Sequence, residues 1–478
     1  MARTTRIFCV STLYGAATLA AALDAGLFEP TDRRLLLVAN NAANPEITPS
    51  VDAMPGFARI RERFDEVLSW NETIAPFHPG GWSPRGDDIP LWERHIRLLW
   101  DLGEDDVRLA VESVHLNPAL ALCQLFTGAP VDVYADGPES YGPTRDKIDP
   151  LVGTRVDRLL HLDLVPGLTP LLLTEFGVPP VPVPSEAFLK VLAELAELAD
   201  GDEESPAPAA HGEQAHGEQA QGEQAHGEQA QGEQVRPALL LGQRLAELGI
   251  VGEAQEEDLY LGMVRGAVAL GHRTLVFKPH PTAPVRWSRR LEDEARRLGA
   301  ELTLLDGPVL AEVAYQRLRP ALVVGCFSTA LLTAAGLYGL PVARAGTDTV
   351  LARLAPYQNS DRVPLTLVDA ALPDLADRSA VESWSMPSAE RLAELALLLK
   401  AVGFAMQPKI HPGLRGEAER YLATRLNPHT WRYFKRRRLA ALALPGAVPA
   451  QLAFIPRNAA VRRLARRARA LKRVTGKR

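Results

Sequence analysis

The sequence predicts an α/β protein made of two doubly wound halves, and two observations carry this prediction. Short apolar runs that suit buried parallel strands alternate with stretches of helical periodicity along most of the chain. The alternation stops at a polar repeat and begins again after it, which indicates two separate sheets. With 478 residues and 46% apolar content, the chain can form two cores of ordinary size.

The first half, residues 1–190, is predicted as one Rossmann-like domain. Its strands are the apolar runs IFCV, RLLLVAN, VRLAV and PVDVYADG, and its clearest helix is PLWERHIRLLWDL. The chain has three cysteines, Cys9, Cys123 and Cys326, and each lies in an apolar run without metal-ligand spacing. We therefore expect buried thiols and a reducing compartment.

Residues 191–235 are predicted as a disordered low-complexity linker or insertion. From His211 to Gln234 the chain repeats a five-residue unit of Gly, Glu, Gln, Ala and His, none of which can form a core. The histidines of this repeat have no regular partner, so a length-variable insertion is favoured over a metal-binding tract.

The second half, residues 236–405, shows the same alternation. We predict strands in PALLLGQ, TLVFKP, LTLLD and ALVVG, and helices in EEDLYLGMVRGAVALG, VRWSRRLEDEARRLG and STALLTAAGLYG. In doubly wound folds ligands bind beyond the carboxyl ends of the strands, so polar residues at those positions are the candidates for function.

Residues 406–478 are predicted as a helical basic tail. Positions 431–478 hold 15 Lys and Arg and no Asp or Glu, which leaves 38 basic against 58 acidic residues before them. Such a tail is attracted to an anionic membrane surface, although a helix packed on its own protein by the stripe Val461, Leu464, Ala468 and Leu471 fits equally well. The tail lacks a readout motif, so we expect no nucleic acid partner.

The location expected from the sequence is cytoplasmic, with a peripheral position on the inner face of the cell membrane as a hypothesis. Ser11, Thr12, Tyr14 and Gly15 interrupt the apolar start of the chain, which suits a strand, a turn and a helix better than a signal peptide. No apolar run is a convincing membrane span.

His280 is the first candidate functional residue. It follows the predicted strand TLVF and lies between Pro279 and Pro281, which stiffen the turn and aim the imidazole. An imidazole, with an ordinary pKa of about 6.5, can bind an oxyanion and transfer a proton, and Lys278 adds a second positive group. A histidine that is only hydrogen-bonded in a turn is the structural alternative.

Ser328 and Thr329 form the second candidate. They follow the predicted strand ALVVG and begin an Ala- and Leu-rich helix, where Ser is a favoured N-cap and free N–H groups attract phosphate. A purely structural cap is the alternative.

Asp136 is the third candidate, at the end of VDVYADG. Together with Gly137 and Pro138 it predicts a tight turn that exposes a carboxylate at the strand end. A carboxylate there can serve as a general base opposite a departing phosphate, or it can simply cap the turn.

These pieces, ADG at 135–137, HP at 280–281 and ST at 328–329, resemble the motif set of bacterial sialyltransferases. The family of polysialyltransferases that elongate α-2,8-linked sialic acid chains looks closest. STLYGAATLAAAL near the start and LLLGQ at 239–243 also look like family segments. One departure is Ala135, because the family usually has an acidic residue there.

The resemblance implies a GT-B-like fold with two facing Rossmann-like domains, an acceptor-side domain first and a domain that binds a CMP-activated sugar second. Its donor would be CMP-sialic acid and its acceptor a glycan or lipid-linked glycan, with inversion and without metal or cofactor. The implied site residues are the base Asp136 and the phosphate partner His280, with Lys278, Ser328, Thr329, Gly242 and Gln243 on the nucleotide side, Glu312 for the ribose, and Ser11, Thr12 and Gly137 in the acceptor cleft.

Two other functions fit part of the pattern. KPHP also occurs in CDP-glycerol-type phosphotransferases of wall polymer synthesis, but those enzymes usually carry an acidic residue soon after the serine, where this chain has TALLTAAG. A non-catalytic nucleotide- or glycan-binding protein is the third reading, and Ala135 favours it. The linkage, the acceptor and the oligomeric state stay open.

Overall fold

The computed structural model describes residues 3–201, 236–280, 285–305, 307 and 309–447. It shows two parallel β-sheets, each flanked by helices, and a group of C-terminal helices packed against them. The predicted α/β class with two doubly wound halves is therefore confirmed, and the two facing halves have the GT-B-like arrangement.

The first sheet has seven parallel strands in the order β3-β2-β1-β4-β5-β6-β7. They are β1 (Thr4–Val10), β2 (Arg33–Val38), β3 (Glu66–Ser69), β4 (Asp106–Val111), β5 (Val131–Ala135), β6 (Val156–Leu162) and β7 (Pro180–Val183). Our sequence analysis identified β1, β2, β4 and β5. It missed three: β3 and β7 have only four residues each, and β6 starts with charged residues, so none shows a long apolar run.

Seven helices belong to the first half: α1 (Leu13–Asp24), α2 (Phe57–Arg61), α3 (Trp70–Thr73), α4 (Ile89–Leu99), α5 (Ala119–Leu125), α6 (Pro150–Gly153) and α7 (Ser185–Gly201). Helix α7 corrects the predicted start of the linker at 191. Residues 191–201 are helical because Val191, Leu192 and Leu195 form an apolar stripe that is buried in the core. The repeat itself lies outside the described residues.

The second sheet has five parallel strands in the order β10-β9-β8-β11-β12. They are β8 (Ala238–Leu241), β9 (Thr274–Lys278), β10 (Glu301–Leu304), β11 (Leu322–Gly325) and β12 (Val342–Arg344). The helices around them are α8 (Glu253–Ala269), α9 (Val285–Arg297), α10 (Ala311–Leu318), α11 (Thr329–Gly336), α12 (Thr347–Arg353), α13 (Arg362–Ala371) and α14 (Arg378–Ser383).

Three further helices follow, α15 (Ala389–Met406), α16 (Arg415–Thr424) and α17 (Arg436–Leu442). They pack on the body of the protein through buried apolar residues such as Tyr421, Phe434 and Leu439. Arg432 and Tyr433 also donate hydrogen bonds to the buried carboxylate of Asp369. The Val461 to Leu471 stripe lies outside the described residues. Among the helices that are described, none is both long and apolar enough to span a membrane.

One apolar core runs through both halves. It includes Ala16 and Phe188 of the first half and Val313 and Leu331 of the second, whereas a separate core fills the other face of the first sheet. A hydrogen-bond contact of 3.1 Å also joins the Tyr14 hydroxyl to Thr333 Oγ1 across the boundary. The halves therefore pack directly on each other, with α1 beside α11. The three cysteines are buried and unbridged, as expected.

Candidate active site

Three neighbouring strands of the first sheet place polar residues at one edge. Ser11 and Thr12 follow β1, Glu112 follows β4 and Asp136 follows β5. Because β1, β4 and β5 are adjacent and parallel, their carboxyl ends meet. The sheet order therefore explains why residues more than a hundred positions apart form one site.

Hydrogen bonds hold two of these carboxyl groups in place. The Thr12 hydroxyl donates to Asp136 Oδ2 over 3.3 Å, and the Ser11 hydroxyl donates to Glu112 Oε1 over 2.6 Å. Thr12 also accepts a hydrogen bond from the Gly15 N–H and so caps α1. The turn after β1 thus positions the predicted base and a neighbouring acid together.

Burial shifts the titration of the carboxyl groups. It raises the pKa of Asp136 above its ordinary value, against the hydrogen bond from Thr12. Burial and the nearby Asp136 charge raise the pKa of Glu112 to about 7. Burial and the same charge also raise the pKa of Glu139 to about 7. The Asp136 charge raises the pKa of both Glu112 and Glu139, so the three carboxyl groups titrate as one interacting set.

Our sequence analysis missed Glu112 and Glu139. A signal for Glu112 was present, because it directly follows the strand VRLAV and so ends at the same sheet edge as Asp136. Glu139 lies three residues after Asp136, in the short helical turn Pro138–Tyr141, and no sequence pattern at that position indicated a site residue.

A cavity of about 360 Å³ opens beside Asp136. Its walls come from loops of the first half, from the segment around Gln358 in the second half and from Met406 at the end of α15. A cavity of this size holds a small organic ligand such as one sugar. Thr12, Asp136 and Gly137 line the cavity. Ser11 does not line it but hydrogen-bonds Glu112, which does.

The predicted nucleotide-side residues come together at the matching edge of the second sheet. Strands β9, β8 and β11 are adjacent, so the residues after each of them are neighbours. The Gly242 N–H donates to the Lys278 carbonyl over 2.8 Å, and Gln243 Oε1 accepts from the Phe327 N–H over 3.2 Å. Gly242 has no side chain, and a Cβ there would lie 3.0 Å from the His280 nitrogen.

Ser328 is the N-cap of α11, and its hydroxyl accepts a hydrogen bond from the Ala330 N–H. The next residue, Thr329, faces the first half: its Oγ1 lies 3.6 Å from the position that a Cβ on Gly137 would occupy. The turn that carries Asp136 therefore lies against the start of the helix that was predicted to hold phosphate.

Burial sets the charges on the nucleotide side. It lowers the pKa of His280, with a further contribution from Arg244, and it lowers the pKa of Lys278. Glu312 is 3% exposed, and burial raises its pKa to about 7 against a hydrogen bond from Thr333 and the charge of Lys278. The carboxyl that was expected to hold ribose hydroxyls is therefore enclosed in this arrangement.

Within the described parts of the chain, no group of three or more His, Cys, Asp or Glu side chains is arranged to hold a metal ion. The predicted residues instead form two groups, one at the carboxyl ends of the strands of each sheet, and the two groups approach each other at Gly137 and Thr329.

Comparison with known proteins identifies the family to which this chain belongs. Among solved structures, a UDP-GlcNAc 2-epimerase from Neisseria meningitidis aligns with a TM-score of 0.44 at 10% identity, covering 82% of this chain and 93% of its own. The GT-B domain of a sialyltransferase from Photobacterium damselae aligns with a TM-score of 0.35 at 10% identity, covering 76% and 95%. No curated protein sequence matches the chain. The sequence profile of alpha-2,8-polysialyltransferases, however, matches residues 6–347. This span contains both sheets and every predicted site residue, and the chain therefore belongs to the alpha-2,8-polysialyltransferase family and is a sialyltransferase.

Proposed function

We propose that this protein transfers sialic acid from CMP-sialic acid to a glycan acceptor, with inversion at the anomeric carbon and without a metal ion. The acceptor sugar occupies the cavity beside Asp136, and the CMP phosphate lies against Lys278, His280, Ser328 and Thr329. Family membership supports the sugar that is transferred, and the position of the two residue groups supports the division of roles.

In the proposed reaction, Asp136 takes the proton from the acceptor hydroxyl as its oxygen bonds to the anomeric carbon. The bond from that carbon to the phosphate oxygen breaks at the same time, and CMP leaves with the electron pair. Lys278 and the helix start at Ser328 stabilise the charge on the phosphate. Because burial lowers the pKa of His280, its imidazole is neutral before the donor binds, and it donates a hydrogen bond whose proton moves toward the phosphate as charge develops.

One observation carries the proposal. Gly137 follows the base directly and lies against Thr329, the second residue of the phosphate-side pair. A donor whose phosphate rests on Ser328 and Thr329 would therefore place its sugar next to the cavity that Asp136 lines. This proximity is what an in-line transfer between the two halves needs.

The test compares Asp136→Asn and His280→Ala with the parent, using CMP release and product analysis with CMP-sialic acid and short sialyl acceptors. Loss of a general base or acid lowers turnover by about 10²-fold or more. Asp136→Asn should keep its affinity for CMP, whereas His280→Ala should bind CMP more weakly. The matched control is Asp146→Asn, an exposed acid in the same half. Parental turnover in either variant would contradict the assigned roles.

Metal independence has its own test. Dialysis of the purified protein against EDTA should leave turnover unchanged, and added Mg²⁺ or Mn²⁺ should not raise it. A metal-dependent rate would contradict this part of the proposal. A donor screen of CMP-sialic acid against CDP-glycerol checks the choice of donor in the same assay.

We also propose that the basic C-terminus holds the enzyme at an anionic membrane, near a lipid-linked acceptor. Residues Arg462 to Arg473 supply much of its charge. Truncation before Arg457 should abolish cosedimentation with anionic vesicles at low salt. Unchanged sedimentation after that truncation would contradict the role of the tail.

A further inference from the structure

Four large apolar side chains are exposed in the connections that follow β2, β3 and β4 of the first sheet, and one of them lines the cavity beside Asp136. They are Ile47, Phe77, Leu91 and Leu116, with 81%, 52%, 70% and 49% of their surface exposed. Single exposed leucines are normal in proteins, but a group of them beside a binding site indicates an interaction surface. We call these four residues the apolar rim.

The apolar rim lies on three loops and the first turn of α4, in the connections that follow β2, β3 and β4. Ile47 follows β2, Phe77 and Leu91 follow β3, and Leu116 follows β4. Hydrogen bonds tie the loops together: His78 Nε2 lies 2.9 Å from the Ala42 carbonyl oxygen, and Asn117 Nδ2 donates to Ser83 Oγ over 2.9 Å. Leu116 and Asn117 also line the cavity, so the apolar rim is continuous with its mouth.

An aromatic cluster adjoins the apolar rim and includes one of its members, Phe77. Phe77 stacks on Trp82 with ring centroids 6.5 Å apart, and Trp82 meets Trp92 edge-on at 4.9 Å. Trp and other aromatic side chains are enriched where proteins meet the headgroup region of a bilayer. The cluster therefore gives the apolar rim a rigid base of the type found at membrane interfaces.

The cavity lining also connects to the basic C-terminus. Arg438 of α17 donates to the carbonyl oxygens of Ala405 and Met406 over 2.6 and 2.9 Å, and Met406 lines the cavity. The neighbouring Arg436 and Arg437 are exposed. They belong to positions 431–478, which carry 15 basic residues and no acidic one. The cavity lining thus reaches the apolar rim at Leu116 and, through Met406, a cationic element.

We propose that the apolar rim inserts into the headgroup region of an anionic lipid bilayer, while the basic C-terminus supplies the electrostatic attraction. The neighbours of the apolar rim in the chain include the carboxylates Glu46 and Asp87 as well as the cations Arg85 and Arg94. The contribution of this region to membrane binding is therefore mainly apolar. This contact would hold the cavity mouth against the membrane and present it to an acceptor anchored there. Only the identity of that acceptor rests on the proposed function.

The experiment uses the full chain and two substitutions at Leu91, which does not line the cavity. Leu91→Glu places a charge where the bilayer should be, and Leu91→Trp adds an aromatic anchor. Binding is measured by cosedimentation with vesicles of phosphatidylcholine and phosphatidylglycerol, and with vesicles of phosphatidylcholine alone. The matched controls are Leu151→Glu and Leu151→Trp, because Leu151 is 78% exposed but precedes β6, at the other edge of the sheet.

We expect Leu91→Glu to weaken binding to the anionic vesicles by about tenfold, as the loss of one inserted leucine implies. Leu91→Trp should strengthen binding, both Leu151 variants should bind as the parent does, and vesicles of phosphatidylcholine alone should bind less. Equal binding by Leu91→Glu and the parent would overturn the proposal. So would equal effects at Leu91 and Leu151, or self-association of the parent that Leu91→Glu abolishes while vesicle binding is kept.

Transfer to a short soluble acceptor separates this proposal from the function. The Leu91 variants should keep the parental rate on such an acceptor, because the cavity is unchanged. If no sialyl transfer occurs but the vesicle results hold, the membrane contact stands and the proposed function fails.

Discussion

Buried carboxyl groups concentrate around the proposed reaction centre. Glu112 and Asp136 lie on the acceptor side, and Glu312 of α10 lies on the donor side, where it hydrogen-bonds Thr333 of α11. Burial raises the pKa of each of them, so each retains its proton to a higher pH than an exposed carboxyl group would. Carboxyl groups whose pKa values are shifted to different extents can divide acid, base and structural roles at one pH.

Glu312 yields a prediction about stability and pH. Its folded pKa of about 7 lies above the ordinary value of 4.5. The folded state therefore holds the extra proton, and the stability that this proton provides is lost as pH rises from 4.5 to 7. The shift corresponds to a cost on the order of 3 kcal/mol once the carboxyl is ionised. Glu312→Gln cannot ionise, so its melting temperature should exceed the parental value by more at about pH 8 than at about pH 5.

Calorimetry at several pH values measures this difference. Glu301→Gln is the matched control, because Glu301 is an exposed glutamate in the same half, and its melting temperature should follow that of the parent. A Glu312→Gln advantage that is constant with pH would show that the carboxyl group titrates normally.

Parallel strands decide where the site residues lie at the level of elements. The loops after β1, β4 and β5 meet at the carboxyl ends of the strands of the first sheet. The loops after β8, β9 and β11 meet at the carboxyl ends of the strands of the second sheet. The site residues in these loops lie directly after or within a few residues of their strand ends, so the order of the strands decides which of them are neighbours. The nucleotide side is the tighter of the two, because Gly242 and the segment from Lys278 to His280 approach through their backbones.

Gly242→Ala is the prediction at this scale. The new Cβ would lie 3.0 to 3.1 Å from the Lys278 oxygen, the His280 nitrogen and the Pro279 Cα. Backbone atoms cannot move away independently, so the turn that carries His280 should shift by a few tenths of an ångström. Such a displacement near a reacting group should raise the donor KM or lower turnover by about tenfold or more.

Initial-rate kinetics and CMP titration measure the effect. Gly262→Ala, at a helical position in the same half with open space around it, should behave as the parent does. Parental kinetics for Gly242→Ala would mean that the turn has room that the structure does not show.

The whole molecule depends on how the two halves join. Tyr14 of α1 reaches Thr333 of α11, and Thr333 in turn hydrogen-bonds Glu312, which lies near Lys278. Tyr14 also lies close enough to Asp136 for the two to interact electrostatically. A polar connection therefore runs from the acceptor side to the phosphate side through the interface.

Tyr14→Phe should loosen this connection without removing a group that contacts substrate. We expect the donor KM to rise by about three- to tenfold, the size of one lost hydrogen bond, with a smaller change in turnover and an unchanged fold. Tyr338→Phe is the matched control, because its hydroxyl accepts a hydrogen bond from Gln316, a residue of the same half. Equal kinetic effects of the two changes would show that the contact between the halves has no special role.

The sequence by itself determined much of this protein. Apolar runs and helical periodicity predicted two parallel α/β halves, because strands buried on both faces need continuous apolar residues. The ends of those runs located Asp136, His280 and Ser328, since loops after parallel strands carry ligands. The short strands β3 and β7 were not predicted from the sequence, and neither was the continuation of α7 beyond residue 190.

Only the tertiary structure decided which side chains share an environment. Strand order placed Glu112 beside Asp136, and packing between the halves enclosed Glu312 and set Gly137 against Thr329. It also gathered the apolar rim from the connections that follow three different strands. These relations join residues far apart in the chain. Desolvation and contact depend on distance in space, and a local sequence pattern carries no such distance.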